Sequence, residues 1–182
     1  MADDRLQQRA DRLAGRVEAL AQALRASGVP EPDLWEAARR VRLRDTQMLG
    51  RLVRWRIPGT PADIAFDELF RQPPFTVLDE DDYLLVSGLV GRIWTLRRDY
   101  PELAGGDEFR AWSQNGTARV VFANWITPQA GNTSTINAEV RVEAIGTGGR
   151  LGVRAVSPLV RSFQHLIGTE GMTVTVRRAE RG

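Results

Sequence analysis

The chain has 182 residues and a formal net charge of +2, with 42% hydrophobic and 26% charged residues, the balance of a soluble globular protein built on one core. It contains no Cys, and all 25 of its basic residues are Arg, which excludes disulfides, thiolate nucleophiles and lysine Schiff-base chemistry. With one histidine, His165, a multi-histidine metal centre cannot form within the chain, so neither a metal nor a cofactor is expected.

The apolar runs are too short to span a bilayer, and no charged segment followed by an apolar stretch opens the chain, so the expected location is cytoplasmic. Leu6, Ala10, Leu13, Val17, Leu20 and Leu24 recur at spacings of three and four, predicting an amphipathic helix over residues 3–26. That helix would make an N-terminal element, 1–28, ahead of a domain over 29–182. Three readings of it stay open: a helix packed on its own domain, an arm that pairs two copies into a homodimer, or a mobile tail. A fourth makes residues 21–29 a weakly alternating first strand.

Gly28-Val29-Pro30-Glu31-Pro32 breaks the helix, and Asp33 is positioned to cap a second one over 34–41. Asp45 would cap a short helix through 46–53. Arg39, Arg40, Arg42, Arg44, Arg51, Arg54 and Arg56 crowd this stretch with Trp55 among them, the composition of a nucleic-acid patch. No helix-turn-helix, zinc or RNA-binding signature accompanies them, and a solvated helix surface explains them, so no nucleic-acid partner is expected. Residues 62–70 read as a short helix stopped by Gln72-Pro73-Pro74, and 75–78 as a short strand. The acidic run 79–82 alternates faces in a strand and cannot converge on one ion, so it reads as a solvated hairpin turn.

Four strand-like runs follow, at 83–94, 117–127, 134–144 and 150–156, and then a long helix opened by Ser157 as N-cap with Pro158 at its first position. Charges set the parity of the strands. Arg92, Arg119, Glu139, Arg141, Glu143, Arg150 and Arg154 mark the outer face. Leu85, Ser87, Leu89, Gly91 and Ile93 then point inward, with Ala118, Val120, Phe122, Asn124 and Ile126, with Ile136, Ala138, Val140 and Val142, and with Leu151, Val153 and Ala155. This face is apolar except for Ser87 and Asn124, the composition of a small-molecule site; a solid core with both side chains bonded locally is the alternative. Trp94 and Trp112 flank an intervening loop, either as core or rim aromatics or as ligand-stacking walls. Leu159, Phe163, Leu166, Ile167 and Glu170 share the inner face of the last helix, with a break expected near Gly168 and Gly171. His165 lies off that face.

Pro74-Phe75-Thr76-Val77-Leu78, Gly88-Leu89-Val90-Gly91-Arg92-Ile93-Trp94, Glu108-Phe109-Arg110-Ala111-Trp112 and Thr135-Ile136-Asn137-Ala138-Glu139-Val140-Arg141-Val142 resemble bacterial SRPBCC proteins of the START-like, helix-grip superfamily. Leu34-Trp35-Glu36-Ala37, His165-Leu166-Ile167-Gly168-Thr169-Glu170 and Arg177-Arg178-Ala179-Glu180 are similar to helices of the same group, which includes polyketide cyclases and aromatase-like proteins. The resemblance implies an α+β fold, a curved antiparallel sheet wrapped around a long C-terminal helix, with the N-terminal helix as an addition where the group has an opening strand. It implies a cavity for a lipid, polyketide or quinone-like molecule, for which Ser87, Asn124, Phe122, Trp94 and Trp112 are the candidate contacts. A cyclase-type enzyme is the alternative, although no acid or base is singled out. A dimerising interaction module is the third reading.

Overall fold

The computed structural model describes residues 18–95, 97 and 100–181. Strand β1 (Glu18–Ser27) is followed by α1 (Glu31–Arg40), a 3-10 turn (Leu43–Asp45), α2 (Met48–Arg56) and α3 (Phe66–Leu69). Next come β2 (Thr76–Asp81), β3 (Leu84–Gly91), α4 (Gly106–Ala111), β4 (Thr117–Gln129) and β5 (Thr133–Ile145). The chain closes with α5 (Gly146–Leu166), a π-helical turn (Ile167–Gly171) and α6 (Met172–Ala179), which continue one another. The fold is α+β: one open antiparallel sheet in the order β1-β5-β4-β3-β2, crossed by the long C-terminal helix.

Residues 18–26, expected within the N-terminal helix, form β1 together with Ser27, as the alternative reading of a first strand over 21–29 had it in part; β1 pairs with β5 from Glu18↔Val142 to Ser27↔Ser134 with one irregularity between Ala19 and Ala21. Helix propensity is a weak prior, and an unpaired edge along β5 would forfeit a row of backbone hydrogen bonds, so pairing decides. The rest of that expected helix, residues 3–17, lies outside the described residues.

The expected strand over 150–156 and the expected helix start at Ser157-Pro158 are both replaced by α5, which begins at Gly146 and carries Pro158 in its interior. Gly146 turns the chain out of β5 at φ +71°, a conformation that excludes most side chains. The later glycines serve close packing: a Cβ on Gly149 would lie 2.5 Å from the Thr117 carbonyl oxygen, and one on Gly152 would overlap the Trp94 indole. Ser157 does not cap; its Oγ donates back to the Val153 carbonyl at 2.8 Å.

Smaller shifts follow the same logic. The first turn of α1 has Pro30 as its N-cap residue rather than Asp33. Asp45 caps nothing in α2; its Oδ2 accepts from the Arg42 backbone at 2.9 Å and from Arg178 Nη2 at 3.2 Å. The N-terminus of α2 is held instead by Glu170 in the π-helical turn, whose Oε2 accepts from Met48 N at 2.9 Å and Leu49 N at 3.0 Å. Arg178 Nη1 also donates to the Arg40 carbonyl at 2.7 Å, tying the last helix to α1.

Strand parity agrees with the expectation from charge. Leu85, Leu89, Ala118, Val120, Ile126, Ile136, Ala138, Val140 and Val142 form the inner core with residues of α1, α2 and α6. The outer face is covered as well. Leu84, Val86, Val90, Phe109, Val121, Ala123 and Trp125 make a second core there, with Leu78, Leu103 and Trp112 packed against it. Charges on this face are paired: Arg119 with Glu143, and the buried Arg141 with Glu139 at 3.0 Å.

Candidate functional site

Two apolar cavities lie between the inner face of the sheet and the helices. The larger, about 140 Å³, has a floor of Leu89, Val120, Phe122, Val140 and Val142 and a roof of Val156, Leu159, Val160 and Phe163 from α5. Val53, Arg56 and Ile57 close one side, and Phe66, Phe70 and Phe75 another. The smaller, about 80 Å³, sits over Leu85, Asn124, Ile136 and Ala138, beneath Ile167, Gly171, Met172 and Thr175 and beside Trp35 and Val41.

The register explains the division. Ser87, Phe122 and Val140 lie side by side across β3, β4 and β5. The rows on one side, Leu89–Val120–Val142, floor the larger cavity, and those on the other, Leu85–Asn124–Ala138, floor the smaller. Above the dividing row stands an aromatic wall: Phe70 lies 5.0 Å from Phe75 and 5.4 Å from Phe122, and Phe75 lies 5.5 Å from Phe122, between ring centroids. Phe66 and Phe70, four residues apart and on one side of the α3 turn, line both cavities.

The sequence-derived candidates separate in space. Phe122 lines the larger cavity and Asn124 the smaller, where the Asn124 side chain makes no hydrogen bond among the described residues. Ser87 is fully buried and lines neither; its Oγ donates to the Phe70 carbonyl at 2.8 Å and so holds the aromatic wall. Trp94 packs its indole on Gly152 and sets how close α5 comes. Trp112 is on the opposite face of the sheet, donating from Nε1 to Thr117 Oγ1 at 3.0 Å, and takes no part in either cavity. His165 is exposed, as its place on the helix predicted.

Sequence reasoning missed Arg56, Phe66, Phe70 and Phe75. The i, i+4 spacing of Phe66 and Phe70 is the signal that could have found two of them. In the sequence Arg56 reads only as part of a basic surface, yet it lines the larger cavity and donates from Nη2 to the Ile93 carbonyl at 2.8 Å. Its guanidinium carbon stands 5.2 Å from the centre of the Tyr100 ring.

Among the described residues, no Asp, Glu or His lines the larger cavity. Carboxylates gather elsewhere, on β2 and α3, where Arg71 bridges Asp67, a half-buried residue at the edge of the smaller cavity, at 3.0 Å and the exposed Glu80. Hydrogen bonds that Arg71 donates to Asp67 and then to Glu80 raise its guanidinium still further above its ordinary value, so this cluster stays ion-paired. What the larger cavity offers among the described residues is shape, apolar contact and one cationic side chain. Among the described residues, no helix is long and apolar enough to cross a membrane.

The chain matches no family model and no curated protein. Among solved structures it is similar to TTHA0849 from Thermus thermophilus, over 88% of this chain and 97% of that one, at 11% identity and a TM-score of 0.34.

Proposed function

We propose that this protein binds a small hydrophobic molecule between its sheet and its C-terminal helix, in the manner of a helix-grip protein. The observation that carries the reading is the larger cavity: about 140 Å³, enclosed by aliphatic and phenylalanine side chains from the sheet, α2, α3 and α5. Its mouth supports access from solvent, since Trp55 and Leu159 line it and are 51% and 42% exposed. The sequence resemblance to SRPBCC proteins points the same way. Among lipid, polyketide and quinone-like ligands, the volume favours a part about one ring in size, because an apolar cavity of about 150 Å³ holds a benzene molecule.

Toluene is the direct probe. Titrated against the full chain, it is expected to raise the melting temperature and to release heat in calorimetry. Val140→Phe, which builds a ring into the floor, is expected to abolish that response while the protein stays folded. Toluene, indole and naphthoquinone all leaving the wild-type melting temperature unchanged would sink the proposal.

A further inference from the structure

One polar feature of the larger cavity is unexplained by a purely apolar ligand. Arg56 uses Nη2 on the Ile93 carbonyl and stacks on Tyr100, but its other terminal nitrogen, Nη1, is buried and has no hydrogen-bond partner. Among the described residues Arg56 makes no ion pair, and no carboxylate lines the cavity that it borders. An arginine keeps its charge at any physiological pH, and a buried donor of a charged group left unmatched is costly. A guanidinium held by two other contacts, with one donor to spare, is a preorganised seat for an anion.

The rest of the cavity describes what that anion is attached to. Phe70, Phe75, Phe122 and Phe163 surround a space of one ring. Building on the hydrophobic-binding reading above, we propose that the larger cavity takes a one-ring aromatic carboxylate. The ring lies among these phenylalanines and the carboxylate meets the Arg56 guanidinium, which turns its buried Nη1 toward it. Arg56 is then the residue that selects acids over neutral compounds of the same shape.

The test compares phenylacetate, phenylacetamide and toluene by calorimetric titration of the full chain near neutral pH. Phenylacetate is expected to bind wild type about tenfold or more tighter than the amide, the difference a charge-assisted hydrogen bond makes. In Arg56→Gln that preference is expected to vanish while toluene binding persists, and in Arg56→Lys part of it should remain. Equal binding of acid and amide by wild type overturns the inference, as does an acid preference that survives in folded Arg56→Gln. Should Arg56→Gln fail to fold, because it also loses the bond to Ile93, the wild-type ratio decides alone. Toluene binding without acid preference leaves the apolar-cavity reading standing and removes only this one, whereas no binding by any of the three removes both.

Discussion

The two faces of the sheet are built from the same strands and are covered in opposite ways. On the outer face the short helix α4 drives Phe109 down onto the strands, so close that a Cβ on Gly88 would lie 2.6 Å from its ring, and the core there is solid. On the inner face α5 and its continuation span the sheet and leave two cavities beneath. Both faces are apolar, so hydrophobicity does not separate them. The difference is where the covering element is fixed. Phe109 is seated at the centre of its face. The long helix is fixed at three points: by Trp94 against Gly152 toward one end, by the buried Gln164 donating from Nε2 to the Ala138 carbonyl of β5 at 2.9 Å near its middle, and by Glu170 and Arg178 on α2 and α1 toward the other. Between those points the helix stands off the sheet, and the phenylalanine wall partitions the gap without filling it.

The largest expected effect tests the solid face. Phe109→Ala removes a fully buried ring and should cost about 3–5 kcal/mol in urea denaturation. Phe163→Ala, partly buried beside an existing cavity, is expected to cost less than half of that. Equal losses would mean that the inner face is packed as tightly as the outer, and the contrast would collapse.

How much of this was legible follows from the kind of signal each element carried. Alternation with charged markers located β3, β4 and β5 and chose their inner face, because period-two patterns report burial directly. The π-helical turn falls where Gly168 and Gly171 weakened the helix. Over residues 18–26 the helix reading outweighed the strand alternative because an Ala- and Leu-rich edge strand carries a helix-like pattern, and its partner is more than a hundred residues away. The stretch after Gly146 was misread because glycines that admit a neighbouring chain look, in one dimension, the same as glycines that turn a hairpin. Of the candidate contacts, parity placed Phe122 and Asn124 correctly on the cavity side and could not say what Ser87 bonds to. It was silent about Trp112, which follows α4 and was a candidate only because it flanks the loop; the other reading, a core aromatic, fits its place against the outer core.

Ser87 and Asn124, read alike from the sequence, provide the intermediate test. Ser87→Ala leaves the buried Phe70 carbonyl without its partner and is expected to cost about 1–3 kcal/mol. It should also loosen the wall between the cavities, changing toluene affinity without touching the larger cavity's lining. Asn124→Ala, which breaks no hydrogen bond, is expected to stay within about 0.5 kcal/mol of wild type by the same denaturation assay. A reversed order would show that Asn124, and not Ser87, is the polar anchor of the inner face.

The smallest effect is the most discriminating. Val140 and Val121 are both buried, one on each face. A single added methylene on the solid face has nowhere to go, and Val121→Leu is expected to cost about 1–3 kcal/mol through displaced neighbours. On the hollow face the methylene enters the larger cavity, which Val140 already floors, so Val140→Leu should leave the denaturation midpoint nearly unchanged. Toluene affinity should fall in that variant, since the added atom takes the space the ring would use. The two measurements then move in opposite senses: stability is lost without effect on binding at 121, and binding is lost without effect on stability at 140. That crossing is what a helix standing off an unfilled sheet requires, and a uniformly packed core cannot reproduce it.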